Sequence, residues 1–292
     1  MGSDVVKATR SLIAWGLLAA GLTGLNRWQT PPRGPWAEAG AHGVIVGSSQ
    51  VWYALDAALL DSLSGWPPGS WTNRSMQGLS GAALLSEACA WVESWPEGTG
   101  GVLVLECLAP EESGRVDWRL AGQIPAADFT RHAFASLPPL RASRSALEHG
   151  MMRATRGLHA TLHPLADVPS APPRRNRIWR GDSARVAELR MHEDRLRRVL
   201  SGEAPAPAYP AFLVKRLVAK CAQRGIELVP VIPAASPAPF LAPATFKRPP
   251  VVLDGGMLPT PFSTPEYLCD PMHLNERGAR RVTLEFWNQL AR

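Results

Sequence analysis

Short, predominantly apolar runs alternate with segments of helical periodicity over much of the chain. The apolar runs lie at 44–46, 101–106, 226–232 and 251–253. Continuous apolarity is typical of parallel strands that are buried on both faces. The periodic segments lie at 79–95, at 211–224 and from about 277 to the C terminus. Strands that alternate with helices predict an α/β fold, here a three-layer α/β/α sandwich around a parallel sheet.

The N-terminal segment differs from the rest because its apolar run has no polar face. Lys7 and Arg10 precede an uncharged stretch over 11–25, which is the pattern that export machinery reads. We predict a membrane anchor or signal segment over 1–28, and a Pro- and Gly-rich linker over 29–42. No small-residue cleavage pattern follows the run closely, which favours an uncleaved anchor over a cleaved signal. The positive-inside rule then puts the body in the periplasm or outside the cell.

Positive charge is concentrated in one part of the chain. The net charge is +6, and residues 141–198 hold thirteen Arg, six acidic residues and no Lys. Such a segment is either a solvated helix and loop or a face for an anionic surface such as lipid head groups or a polyanionic glycan. Basic residues interleaved with aromatic ones are missing, so nucleic acid is not an expected partner. We interpret 141–205 as an Arg- and Pro-rich insertion in a domain that spans 43–292.

The candidate chemistry follows the strands, because ligands of open α/β sheets bind outside the carboxyl ends of the strands. Ser48 and Ser49 follow the first strand, and Asp270 and His273 precede the last helix. A carboxylate can hold an imidazole in one tautomer, and the imidazole can then activate a nearby hydroxyl. The simpler alternative is that Asp270 only caps the last helix, with Pro271 at its first position.

Three motifs resemble those of the SGNH (GDSL-like) hydrolases. They are Gly47-Ser48-Ser49, the segment Asn73–Gly78, and Asp270-x-x-His273. The ending resembles the membrane-anchored subgroup that includes the D-alanyl-lipoteichoic acid pathway protein and alginate acetylation proteins.

The resemblance implies the SGNH hydrolase fold, with a flavodoxin-like sheet and a catalytic triad of Ser49, Asp270 and His273. Ser48 is the alternative nucleophile. The implied oxyanion hole consists of Ser49, Gly78 and Asn73. One departure concerns the third family block, which supplies an Asn where this chain has Cys107 and the residues after it.

The function that the resemblance implies is a serine-dependent O-acyltransferase or esterase acting on a cell-envelope glycan on the outer face of the membrane. Its partners would be an acyl donor, a glycan acceptor and a polytopic membrane-bound O-acyltransferase. The absent third-block Asn and the Arg-rich segment motivate an alternative from another class, a non-catalytic scaffold or glycan-binding subunit. A third alternative is a general lipase or thioesterase.

Other titratable residues add little to these expectations. Glu106 ends a strand near the expected site, where the simplest interpretation is a salt bridge or an edge position. The four cysteines lack metal-site spacing, and no third ligand accompanies the pair His159 and His163. We therefore predict no metal and no organic cofactor. Disulfides would form only if the domain is exported, and spacing does not fix their pairing.

Overall fold

A computed structural model describes most of the predicted α/β domain. The described residues are 42–75, 81–95, 97–107, 139, 143, 177–203, 212–236 and 246–291. The chain divides into two compact units, one formed by 1–35 and 113–168 and the other by 36–112 and 169–292. All elements described below belong to the second unit. The predicted anchor over 1–28 lies outside the described residues.

A parallel sheet of five strands forms the centre of this unit. The strands are β1 (Gly43–Val46), β2 (Trp71–Asn73), β3 (Gly101–Glu106), β4 (Ile226–Pro233) and β5 (Val251–Leu253). Every neighbouring pair is parallel, and the order across the sheet is β2-β1-β3-β4-β5. The predicted parallel α/β fold is therefore confirmed, and this strand order is compatible with a flavodoxin-like sandwich.

Six α-helices flank the sheet in the described part of the chain. They are α1 (Ser49–Ala54), α2 (Ala57–Ser64), α3 (Gly81–Ser94), α4 (Ser183–Leu200), α5 (Phe212–Arg224) and α6 (Glu276–Leu290). Helix α3 packs against α5, whereas α6 packs against β5, α1 and α2. The strand β1 is buried along its whole length, as the continuous apolar run predicts for a strand covered on both faces.

Helix α4 lies within the Arg-rich segment, and one side of it packs onto the core. Its buried residues are Leu189, Glu193, Leu196 and Val199. Their spacing of three and four residues makes one helical stripe. The Glu193 carboxylate accepts a hydrogen bond from the hydroxyl of the buried Thr260. The arginines therefore cover the outer side of a helix that is a packed part of the unit.

Helix α6 begins at a cap that the sequence did not single out. Asn275 is its N-cap, and the Asn275 side chain accepts a hydrogen bond from the Gly278 N–H at 3.0 Å. The alternative in which Asp270 caps this helix is therefore wrong. Among the helices of the described residues, none combines the length and the apolarity needed to cross a bilayer.

A single buried hydroxyl joins α6 to the chain that follows β1. Thr283 is fully buried, and its Oγ1 donates to the Ala54 carbonyl at 3.2 Å and accepts from the Asp56 N–H at 3.0 Å. Since α1 begins at Ser49 and α6 follows His273 closely, this contact fixes the two candidate site segments relative to each other.

We expect Thr283→Val to lower the free energy of unfolding by about 2 kcal/mol, because the isosteric side chain deprives two buried backbone groups of their hydroxyl partner. Denaturant unfolding measures the change. Thr283→Ser keeps the hydroxyl and should retain most of the stability. A Thr283→Val variant as stable as wild type would mean that the hydroxyl does not stabilise the fold, and an equal loss in Thr283→Ser would mean that the methyl contributes as much as the hydroxyl.

Candidate functional site

The side chain of Asp270 stabilises the turn that connects it to His273. The Asp270 Oδ1 accepts hydrogen bonds from the backbone N–H groups of Met272 at 2.8 Å and His273 at 3.0 Å. The turn is closed by a hydrogen bond from the Cys269 N–H to the His273 carbonyl at 2.9 Å. The three-residue spacing thus places the carboxylate and the imidazole on the same side of a tight turn.

The imidazole of His273 has one bonded and one unbonded nitrogen. Its Nδ1 lies 2.9 Å from the Asp270 Oδ2, and its Nε2 is buried with no hydrogen-bond partner. Burial raises the pKa of Asp270, but the hydrogen bonds from His273 and from the Met272 N–H outweigh it, and the pKa lies below its usual value. The carboxylate therefore stays ionised at neutral pH and orients the ring.

Helix α1 lies directly beside this ring. The rings of Tyr53 and His273 are 4.4 Å apart between centroids and are tilted by 31°. Tyr53 follows Ser49 by four residues, which is about one helical turn. Two segments separated by more than two hundred residues are thus brought together, as the candidate triad requires.

Ser48 and Ser49 have different surroundings at the start of α1. Ser48 is the N-cap, and its Oγ accepts the Gln50 N–H at 3.2 Å. Ser49 is partly buried, and neither its hydroxyl nor its N–H is hydrogen-bonded within the described part of the chain. Both residues are described, and no hydrogen bond joins Ser49 to His273. The unbonded hydroxyl of Ser49 and the unbonded Nε2 of His273 are the two atoms that a triad would connect.

Glu106 contradicts the expectation of a salt bridge or an edge position. The residue ends β3, the middle strand of the sheet, and is 1% exposed. Its Oε2 accepts the Ser48 N–H, and its Oε1 lies 3.1 Å from the Ser48 Oγ. No ion pair joins it to a described residue. A lone acidic residue at the end of an otherwise apolar strand was the signal for this arrangement in the sequence.

Of the two other oxyanion-hole candidates, Asn73 is described by the structure and Gly78 is not. Asn73 is buried; its Nδ2 donates to the Leu55 carbonyl at 3.0 Å and its Oδ1 accepts from the Ser75 N–H at 3.0 Å. An amide nitrogen carries two hydrogens, and this contact uses one of them. Gly78 lies outside the described residues.

The N-terminal end of α4 contacts the Asp270–His273 turn, which the sequence did not reveal. The Arg185 Nε donates to the Pro271 carbonyl at 3.3 Å, and the Trp179 N–H donates to the Leu268 carbonyl at 2.8 Å. These contacts join the turn and the residue before Cys269 to the segment that leads into α4 and to its first turn.

A groove of about 830 Å³ runs along the exposed side of α4 and reaches Pro265. We call it the arginine groove; its charged lining residues are Arg180, Arg190, Arg195, Arg198, Asp182 and Asp194. Within the described residues, none of the four arginines has an ion-pair partner. The groove therefore presents four guanidinium groups and two carboxyl groups along the exposed side of α4.

The four cysteines are buried thiols, and no disulfide joins them. Burial, with a smaller contribution from Glu106, holds the pKa of Cys107 well above its usual value. Burial, together with the neighbouring Cys89, raises the pKa of Cys221 to about 12. These thiols are therefore poor nucleophiles in the folded unit.

We predict that His273→Ala raises the pKa of Asp270, because the substitution removes the hydrogen bond and the charge that lower it. Since the folded-state pKa is depressed, Asp270 stabilises the fold above its ordinary pKa, and this contribution disappears as the pH falls through the folded value. A carboxyl-carbon NMR titration measures the pKa, and denaturant unfolding at several pH values measures the contribution to stability. His192→Ala serves as the control and should leave Asp270 unchanged; a pKa of Asp270 that stays low in His273→Ala would contradict the assignment.

The described residues thus combine an imidazole–carboxylate pair, an unbonded serine hydroxyl at a helix N terminus and a buried carboxyl group. A serine hydroxyl and an imidazole oriented by a carboxylate are the residue types that nucleophilic acyl chemistry uses. Comparison with protein-family models, with curated proteins and with solved structures finds no match for this chain.

Proposed function

We propose that the chain is an SGNH-like serine O-acyltransferase or esterase that acts on a cell-envelope glycan. The observation that carries this proposal is the state of His273: one ring nitrogen is held by Asp270 at 2.9 Å, and the other is buried without a partner. Buried polar atoms are rarely left unsatisfied. The Nε2 of His273 lies in a ring that contacts α1, the helix that begins at Ser49. An unbonded ring nitrogen in this position suits a general base that binds the serine proton once the substrate is present.

The proposed reaction has two steps. In the first, the Ser49 hydroxyl passes its proton to the Nε2 of His273 while its oxygen bonds to the acyl carbon. The bond to the leaving group then breaks, and the leaving group takes the proton from His273. In the second step, a sugar hydroxyl or water gives its proton to His273 while its oxygen bonds to the acyl carbon. The bond between the acyl carbon and the Ser49 oxygen then breaks, and that oxygen takes the proton from His273, which restores the Ser49 hydroxyl.

The developing oxyanion needs hydrogen-bond donors near the acyl carbon. The Ser49 N–H is suitable because it lies at the start of α1 and has no partner among the described residues. Gly78 and the second amide hydrogen of Asn73 are the proposed additional donors. One preorganised donor of this kind contributes about 3 kcal/mol to transition-state stabilisation.

The arginine groove supports an acidic acceptor. Guanidinium groups bind carboxylates and phosphates, whereas Asp182 and Asp194 offer acceptors for sugar hydroxyls. Because Arg185 also contacts the Pro271 carbonyl, a glycan lying along α4 would extend toward His273. The predicted anchor would keep the domain at the outer face of the membrane, where such polymers are found.

We predict that a fluorophosphonate probe labels the wild-type protein and that Ser49→Ala abolishes the labelling. His273→Ala should slow it about a thousandfold, because the general base is lost. Ser62→Ala, at an exposed position of α2, is the matched control and should label like wild type. Mass spectrometry of the labelled peptide identifies the serine.

Two outcomes would count against this assignment. Labelling lost in Ser48→Ala but retained in Ser49→Ala would make Ser48 the nucleophile, with Glu106 as its neighbouring base. A folded wild-type protein that never reacts would favour the non-catalytic scaffold. Hydrolysis of simple p-nitrophenyl esters with a preference for acyl-chain length would instead favour a general lipase or thioesterase.

We predict that the protein binds polygalacturonate or long-chain polyphosphate and does not bind neutral dextran. The triple substitution of Arg190, Arg195 and Arg198 by Gln should weaken binding at least tenfold, which is about 1.4 kcal/mol. Substituting Lys215, Lys247 and Arg280 by Gln removes the same charge from other exposed positions. Fluorescence anisotropy at low and high salt measures the affinity; equal weakening in both triple variants would reduce the effect to net charge.

A further inference from the structure

Glu106 is a carboxyl group buried at the carboxyl edge of the sheet, directly against the turn that leads to Ser49. Both of its oxygens contact Ser48, one through the backbone N–H and the other through the hydroxyl at 3.1 Å. Gly47 makes this approach feasible, because a Cβ at that position would lie 2.9 Å from the Glu106 Oε2 and 2.6 Å from the Val51 Cβ.

The surroundings of Glu106 provide no compensating positive charge. The register partner of Glu106 on β4 is the apolar Val231. The next residue along the chain is Cys107, which has a buried thiol. On the side of β1 and α1, the contacts come from Gly47 and Ser48. No Lys, Arg or His among the described residues forms an ion pair with it, and neither Asp270 nor His273 contributes to its titration. Burial raises the pKa of Glu106 to about 7, against the opposing effect of the Ser48 hydrogen bonds.

The contact between Glu106 and Ser48 lies one residue before the proposed oxyanion donor, the Ser49 N–H. Ser48 caps α1 by accepting the Gln50 N–H, so holding Ser48 also fixes the direction of the Ser49 N–H and hydroxyl. A neutral Glu106 leaves the site without extra charge. An ionised Glu106 adds a buried negative charge close to the atoms where the oxyanion develops, and Coulomb repulsion in a low-dielectric interior is strong.

We propose that Glu106 is a positioning residue that works in its neutral form: it holds Ser48 for acyl transfer, and its ionisation switches the site off by placing an uncompensated negative charge beside the oxyanion. This inference rests on the proposed serine chemistry. In the family that the sequence resembles, the third block supplies an Asn just after the strand that corresponds to β3. In this chain, Glu106 at the end of β3 would take a positioning role in the same place. The switch needs no co-reactant, since ionisation only releases one proton to solvent.

The first test is the pH dependence of fluorophosphonate labelling in wild type and Glu106→Gln. The neutral amide keeps an acceptor for the Ser48 N–H but cannot ionise. Wild-type labelling should fall above about pH 7 as Glu106 ionises, whereas Glu106→Gln should keep its rate at high pH. The ratio of the Glu106→Gln rate to the wild-type rate should grow at least tenfold between pH 6 and pH 9. The same alkaline decline in both proteins overturns the proposal.

A second test does not depend on activity. Because the folded-state pKa of about 7 lies above the unfolded value of about 4.5, the folded protein binds more protons between these values. Wild-type stability should therefore fall between about pH 4.5 and pH 7 relative to Glu106→Gln. The exposed Glu203→Gln is the control and should follow wild type.

An NMR titration of the Glu106 carboxyl in wild type gives the same answer should Glu106→Gln not fold. An ordinary carboxyl pKa in that titration overturns the inference whatever the labelling shows. A raised pKa together with an unreactive wild-type protein would instead reject the serine chemistry while leaving the buried neutral carboxyl in place.

Discussion

The parallel pairing of β1 with β3 brings the turn that leads to Ser49 against the carboxyl group of Glu106. Val46 is in register with Leu105, so the residues that follow the two strands, Gly47 and Ser48 on one side and Glu106 on the other, meet at the same edge. The sheet must bury both faces of these strands, which leaves the carboxyl ends as the place where polar side chains can gather. A shift of one residue in this register would separate Ser48 from Glu106 and turn the α1 start away from His273.

The elements with strong local signals were predicted from the sequence with nearly their observed bounds. The strand Gly101–Glu106 and the helix Phe212–Arg224 are examples, because an apolar run and a regular stripe depend on few distant contacts. The strand Trp71–Asn73 and the helix Ser49–Ala54 were not predicted. Each is too short for a period to emerge, and the sheet and α6 rather than local propensity stabilise them.

The candidate site was predictable where chemistry and spacing coincide. Asp270 and His273 are close in sequence, and their hydrogen bond follows from a three-residue turn. The roles of Glu106 and Arg185 depend on which strand lies in the middle of the sheet and on where α4 docks. Spacing along the chain contains no information about either. For this reason the sequence favoured a salt bridge or an edge position for Glu106, although the hydrogen-bond partner of its side chain within the described residues is Ser48.

The buried thiols have a consequence for how such a chain must mature. Cys89 and Cys221 lie on the packed helices α3 and α5 and form no disulfide, and burial suppresses the thiolate that oxidants attack. In an oxidising compartment, protection of these sulfurs begins only when the helices dock on the sheet. The yield of correctly folded protein would then depend on the rate of helix docking relative to the rate of thiol oxidation. Thiols of chains that have not yet folded could form disulfides with other chains.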